Sequence, residues 1–543
     1  MLRVWKKHIG LLLLGGVVCI LQMITITKSQ LLKGKILNEA ISEKQNALFE
    51  LIILLLIMTV VSIVFSYIYA VFRVRFSQAA TKSLRQAFFN SLLQRPYAQY
   101  KELPEGEVIA KYTKQINEVE VKYFSIFTSV AEMAMKIIFV LGTLIQLNPV
   151  LACISFAVLS LTIVVPRLFE KRISRAAKKR VMETESHISK LNSWLQGFEI
   201  IKNYGIEKII KGYYESSNQK LLEKEERAEA IKAAGVGVSF ASINTAQVVI
   251  STLSAFLVLR GYLNPGEFLS VLSLVSIIRA PLYWIAKHYQ EIIATRPTRE
   301  SLSSFIWGSM KDKTEGDIVI SNTGPLQIAY ENVTFGYQSG DSLINELNLN
   351  FYAGGHYLIT GSSGCGKSTA MNLLLRYYEP SSGKILINGI RLSEIKKLNS
   401  LITVARQEAQ LFQDTIRNNL TMYDSSISDE AIIDALNKVG LERFASKEGM
   451  TQMVLEEGGN LSGGEKKRLS LARALLRNAP IMILDEPLAN IDPENVGRIE
   501  DVLLSLDNST VIIITHQFSS EKLNRFDEVI KFERGASDEA VMV

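Results

Sequence analysis

The chain has 543 residues, 48% of them hydrophobic, and a formal net charge of +6. Such a length calls for more than one domain, and so small a charge without a basic tail leaves no footprint for nucleic acid. The three cysteines, Cys19, Cys153 and Cys365, lie in two apolar runs and one glycine-rich loop, which excludes a disulfide framework and suits a reducing compartment.

Apolar runs dominate residues 1–290, which read as a transmembrane domain. The first run, 9–27, can span a bilayer and follows Arg3, Lys6 and Lys7. No small-residue cleavage site follows it and a second run at 47–72 comes soon after, so it reads as a span and not a signal peptide. Runs at 123–147, 150–169, 235–259 and 268–285 bring the expected spans to six and put both ends on one side. Tight turns at Asn148-Pro149 and Asn264-Pro265-Gly266 separate the last two pairs. Segments 73–122 and 170–232 are long and rich in Lys and Arg, so they and both termini are assigned to the cytoplasm. The loop 28–44, placed outside, carries four lysines and weighs slightly against this. Helical spacing at 77–94 and 176–193 makes the long segments arms that continue the spans, with chain reversals at 103–106 and 203–205. Glu132 and Lys136, four apart on one span, can neutralise each other, and Arg279 precedes Pro281 on another. A charge in mid-bilayer costs on the order of 3 kcal/mol. These three residues therefore either pair structurally or line a cargo path.

Residues 291–325 mix polar residues, turn formers and one short helical patch and read as a linker; from 326 to 543 short apolar strands alternate with helices, the pattern of an α/β domain. Its centre is Gly361-Ser362-Ser363-Gly364-Cys365-Gly366-Lys367-Ser368-Thr369, between a buried strand at 357–360 and a helical stretch. Strand, glycine-rich loop and Lys-Ser opening a helix is the arrangement of a phosphate-binding P-loop. The glycines let backbone N–H groups turn around a phosphate, and the helix start adds partial positive charge. Lys367 can reach the β- and γ-phosphates, and the Ser368 hydroxyl can ligate Mg²⁺. A second buried strand at 481–484 ends in Asp485 and Glu486, which suit Mg²⁺ and the polarisation of a water respectively. A third, 511–514, ends in Thr515 and His516, a γ-phosphate ligand candidate. Between the P-loop and the second strand stands Leu461-Ser462-Gly463-Gly464-Glu465, a Ser-Gly-Gly helix start and so a further anion site. One γ-phosphate does not need two such sites in one domain; two copies placed head to tail would use both.

Together, the P-loop, LSGGE, ILDEP and strand-end histidine resemble the ATP-binding cassette (ABC) family, and six spans ahead of the cassette resemble its exporter-type half-transporters. The resemblance implies a six-helix α-helical transmembrane domain followed by an α/β P-loop ATPase with a helical subdomain. ATP and Mg²⁺ are the implied cofactors. Tyr337 matches the residue that stacks on adenine, and Gln407 the glutamine that ligates Mg²⁺ with Ser368 and Asp485. Glu486 matches the general base. Residues 461–465 match the signature that contacts the other subunit's ATP, and Asp492 lies in the loop that crosses the dimer interface. Stretches near 112–118 and 205–212 resemble coupling helices, and Glu456 the residue that meets one. Two departures are small: Glu465 stands where glutamine is commoner, and Leu-Ala-Asn follows Pro487. The expected partner is a second half-transporter, identical or different, in a lipid bilayer. The expected place is the cell membrane, taken as a bacterial plasma membrane, with the cassette in the cytoplasm. Export of an amphipathic or hydrophobic cargo (peptide, lipid or drug) is the leading expectation. Import of a metal chelate and ATP-gated regulation of a partner membrane protein are the alternatives.

Overall fold

The computed structural model describes residues 2–308, 316–321, 324–337, 342–532 and 541–542. They fall into two compact units: Met1–Arg95 with Leu103–Met310, and Pro96–Glu102 with Lys311–Val543.

The first unit is helical. Its long helices are α1 (Ile9–Ile41), α2 (Gln45–Leu93), α3 (Ser125–Leu147), α4 (Pro149–Gln196), α5 (Glu207–Leu259) and α6 (Pro265–Ala294). At about 1.5 Å per residue α2 is roughly 70 Å long, more than twice the ~30 Å hydrocarbon core, so the stretch after the apolar run extends as a continuous arm. Among the described residues, five helices are long and apolar enough to cross a membrane: α1, α2, Glu105–Leu147 (which ends in α3), α5 and α6. The expected fourth span falls on α4, whose side chains at 158–170 lie outside the described residues.

Several local expectations change. Residues 28–41 are not a loop but the last turns of α1, because Lys, Gln, Leu and Glu all favour helix; the reversal is confined to Ser42–Lys44, with Glu43 at φ 58°. The first arm turns back at Pro96 and Pro104, each directly before a short helix, Tyr97–Lys101 and Glu105–Ala110. The chain then runs through two π-turns, Lys111–Gln115 and Glu120–Phe124, into α3. The stretch 112–118 is therefore part of a rising helix, and it is Pro96–Glu102 that groups with the second unit. The second arm reverses at the expected 203–205: the short helix Phe198–Tyr204 is closed by Gly205 in the left-handed region at φ 64°. The short helical patch read in the linker is the helix Arg296–Trp307, and its Leu302, Phe305 and Ile306 are buried with Ala80, Leu84 and Phe88 of α2.

The C-terminal end of α1 and the N-terminal end of α6 approach backbone to backbone at two glycines. A Cβ on Gly34 would lie 2.1 Å from the Gly266 carbonyl oxygen, and one on Gly266 would lie 2.2 Å from that of Gly34. Asn38 Oδ1 accepts from Gly266 N at 2.9 Å, and Asn264 caps α6 in a reciprocal capping box with Glu267. Gly34→Val must force the two backbones apart. A loss of about 1–3 kcal/mol, read as a lower thermal midpoint, is expected; an unchanged midpoint would show that the contact opens freely.

The second unit holds two sheets. The antiparallel one has the order β2 (Ile344–Phe351), β1 (Ile328–Phe335), β4 (Ser382–Ile387), β5 (Ile390–Arg391). The other runs β10 (Val541–Met542), β9 (Glu528–Phe532), β3 (His356–Gly361), β8 (Thr510–Ile514), β7 (Ile481–Asp485), β6 (Ile402–Ala405), parallel except for β10. Its inner strands β8 and β7 are largely apolar because both faces are covered. Successive residues enter different cores: Ile359, Ile483 and Ile512 join one, with α7 (Lys367–Leu374) and the antiparallel sheet. Leu358, Met482 and Ile513 join the other, with α8 (Asp429–Lys438), α9 (Gly463–Arg477) and α10 (Pro493–Leu503). This period of two puts the P-loop helix on one face and the signature helix on the other.

Candidate functional site: a nucleotide cassette with two anion-binding helix starts

The P-loop leaves the C-terminal end of β3, the third strand of the parallel sheet, where ligands of such sheets bind. Gly361, Gly364 and Gly366 have φ of 139°, 81° and 109°, open only to residues without a Cβ. At Gly361 the constraint is also steric, since a Cβ would sit 2.3 Å from the Phe532 carbonyl oxygen on the neighbouring β9. Gly366 caps α7 without a side-chain bond, so the first N–H groups of that helix stay available. Lys367 folds back over the loop, its ammonium donating to the carbonyls of Gly361 and, at 3.0 Å, Ser362. Ser368 and Thr369 open the same helix; the Thr369 hydroxyl lies 3.2 Å from that of Tyr337. Tyr337 is half-exposed and stands edge-on to Tyr378 at 5.2 Å and to Phe335 at 5.1 Å. Its ring is thus fixed beside the P-loop helix with one side uncovered.

β7 and β8 deliver the other groups. Burial pushes the Asp485 carboxyl above its ordinary range, against the pull of Arg406, Lys467 and Lys367. Glu486 follows at φ 49°, a left-handed backbone that costs a non-glycine residue on the order of 1 kcal/mol and clusters at functional sites. Its N–H donates to Ile514 O at 2.7 Å, and its carboxylate accepts from the Thr515 hydroxyl at 3.0 Å. Thr515 is buried, whereas His516 beyond it and Gln407 after β6 are exposed. Ser368, Gln407 and Asp485 offer a hydroxyl, an amide and a carboxylate, a hard-oxygen set that fits Mg²⁺ held mainly through substrate phosphates.

LSGGE is built differently. Leu461 is buried and anchors the turn, while Ser462 caps α9, its Oγ accepting from Glu465 N at 3.2 Å. Glu465 returns the bond to Ser462 N at 2.9 Å and pairs with Arg443 at 2.6 Å. The departure from glutamine therefore keeps the capping box and adds an ion pair. Gly463 has open space around it; a Cβ on Gly464 would lie 2.9 Å from Asn490 O. Asp492 stands at the N-cap position of α10 without a side-chain cap bond, and its carboxylate pairs instead with Arg468 of α9 at 2.9 Å, within the chain.

Two cations went unread in the sequence. Lys467, buried on α9, donates to Gln407 O at 2.6 Å and feels both Asp485 and Glu486; burial holds its ammonium below the usual lysine range. Arg406 reaches Asn372 of α7 at 3.0 Å and lies over Tyr377 at 5.4 Å. Tyr377 stacks at 4.0 Å on Tyr97, of the short helix that groups with this unit. Thr515→Val removes the hydroxyl that orients Glu486; about 1 kcal/mol of stability and a several-fold fall in ATP turnover are expected, with ATP affinity unchanged.

In the first unit, Lys136 and Glu132 pair at 2.8 Å, and Arg73, which sequence reasoning passed over, approaches the same carboxylate at 3.7 Å. Arg279 is elsewhere, 5.2 Å over the Phe240 ring.

The comparisons agree with this geometry. The family described as "ABC transporter transmembrane region" matches residues 12–282, and "ABC transporter" matches 344–489. An ATP-dependent lipid A-core flippase of Chromobacterium violaceum is 27% identical over 458 residues, 83% of this chain and 78% of its own length. A putative export ATP-binding/permease protein of Rickettsia conorii is 25% identical over 98% of this chain and 93% of its own. A structure described as a bacterial Atm1-family ABC exporter with ATP bound shares the fold, with a TM-score of 0.81 at 20% identity, over 98% of this chain and 94% of that one. A helical multi-pass membrane domain and a cassette with a complete P-loop and signature stand in one chain, and this chain belongs to the ABC transporter family, whose members hydrolyse ATP to drive transport.

Proposed function

We propose that this chain is an exporter-type half-transporter of a bacterial plasma membrane that moves an amphipathic or hydrophobic cargo out of the cytoplasm. The observation that carries the proposal is that the helix after the P-loop, α7, and the helix after LSGGE, α9, lie on opposite faces of one sheet. A second cassette turned head to tail brings its signature to this P-loop and receives this signature at its own. The helix Phe198–Tyr204 supports a second copy as well, since Phe198, Ile200 and Tyr204 are 57%, 60% and 77% exposed. One relative is named for a lipid cargo and the other for export, which favours a lipid-like cargo and outward movement here.

In this reading Tyr337 stacks on adenine, and the P-loop N–H groups and Lys367 hold the phosphates. Ser368, Gln407 and Asp485 hold Mg²⁺, which when bound neutralises phosphate charge and polarises the γ-phosphoryl group. Glu486, held by Thr515, takes a proton from the attacking water while His516 meets the γ-phosphate. Ser462, Gly463 and Gly464 of the partner close the far side. ATP favours the closed pair because only there does it gain both sets of contacts. The stack of Tyr97 on Tyr377 gives closure a handle on the short helix at the turn of the first arm. Sealed vesicles with the cassettes outward test direction: ATP-dependent accumulation of a fluorescent lipid or drug in the lumen is expected. ATP-dependent depletion from the lumen would instead favour import, and unchanged cargo with substrate-independent ATPase would favour a regulator.

A further inference from the structure

A cavity of about 230 Å³ lies inside the first unit between α1, α2 and α3. Leu12, Gly16 and Cys19 of α1, Phe72 and Arg73 of α2 and Met135 of α3 line it. Apolar cavities of about 150 Å³ hold benzene and stay dry, so this one has room for a stretch of alkyl chain. Gly16 makes part of that room, as a Cβ there meets nothing within 4 Å. The polar groups of the wall are mostly committed: the Tyr69 hydroxyl donates to Thr128 O at 2.9 Å.

Arg73 is the exception. It donates to Ser129 Oγ at 3.1 Å and approaches Glu132 at 3.7 Å, both through Nη1. Among the described residues its Nε and Nη2 have no acceptor, and these two form the fork that a carboxylate or phosphate takes two-pronged. The local charge does not cancel either, because Glu132 also pairs with Lys136 at 2.8 Å. Two cations share one carboxylate, leaving one positive charge in excess beside apolar walls, where an anion is the stable complement.

We infer that this cavity binds a long-chain anionic amphiphile, its alkyl chain among α1, α2 and α3 and its acid group on the free fork of Arg73. The inference rests on reading the first unit as a membrane-spanning transport domain and names the chemical class of its ligand. Radiolabelled palmitate is the probe, titrated without ATP onto the full-length protein in nanodiscs of phosphatidylcholine. Saturable binding is expected. It should weaken about tenfold or more in Arg73→Gln, which leaves the Glu132–Lys136 pair neutral, and recover in part in Arg73→Lys. Gly16→Phe should remove it by filling the space. Dodecanoate should displace the probe and dodecyltrimethylammonium should not. Variants are compared at matched thermal midpoints, so misfolding is seen separately, and the Gln–Lys contrast stands even if Gly16→Phe does not fold. No saturable binding, equal binding in Arg73→Gln, or equal displacement by the cationic amphiphile each overturns the inference. Binding is read at equilibrium, so a failure here leaves the vesicle transport result untouched, and a failure of export leaves this binding measurable.

Discussion

Glu486→Gln is expected to bind ATP as the wild type does and to turn it over about a hundredfold to ten-thousandfold more slowly, the usual worth of a general base. The substitution keeps size and shape and removes only the ability to take a proton. The Thr515 hydroxyl, 3.0 Å from the carboxylate, can still donate to the amide oxygen, so the side chain should stay in place. The left-handed backbone at φ 49° should persist too, because Glu486 N remains tied to Ile514 O. With hydrolysis removed and binding retained, ATP should accumulate in a closed dimer, visible as a stable nucleotide-bound species on size exclusion. ATP turnover at the wild-type rate would remove Glu486 from its assigned role.

The second large effect separates two functions of Ser462. Its hydroxyl caps α9 within a capping box and, in the proposed dimer, faces a γ-phosphate. Aspartate caps helices about as well as serine, so Ser462→Asp should change stability by less than about 0.5 kcal/mol. It nevertheless sets a negative charge against a phosphate and discards a donor. Loss of one such donor costs about a hundredfold to a thousandfold in comparable sites, and ATPase activity should fall by at least that much. Ser462→Asn keeps the cap without the charge and should lose less. If the aspartate variant hydrolyses ATP normally, the serine is a cap and nothing more.

Local features were legible in the sequence, and features made by tertiary contact were not. The P-loop could be read because its function sits in one turn: glycines where φ must be positive, then a helix start. The N-cap role of Ser462 was legible as well, whereas Glu465, read only as a departure from glutamine, turns out to complete a capping box and to pair with Arg443. Lys467 looked like one more polar residue on an amphipathic helix. Only the packing of α9 beside the Gln407 loop turns it into a buried cation next to Asp485 and Glu486. Arg73 looked like the first charge after an apolar run, and its shared carboxylate lies on another helix. The reversal in the first arm was legible at 103–106 because Pro104 marks it, while the earlier break at Pro96, which likewise directly precedes a short helix, was not read. The lysines at 28–44 suggested a loop because charge drew more attention than their helix propensity.

The arrangement of catalytic parts rests on one idea, that each nucleotide site is completed by the opposite cassette. A tandem fusion of two copies of the chain tests it most directly. In a Glu486→Gln background, Lys367→Ala and Ser462→Asp are placed either in the same half or in opposite halves, and occluded ATP per fused dimer is counted. If sites are shared, opposite-half placement damages one site twice and leaves the other intact, so one ATP is retained; same-half placement damages both sites and none is retained. The reverse order, with ATP retained only when both substitutions lie in the same half, would mean that each cassette builds its site alone and would contradict the account.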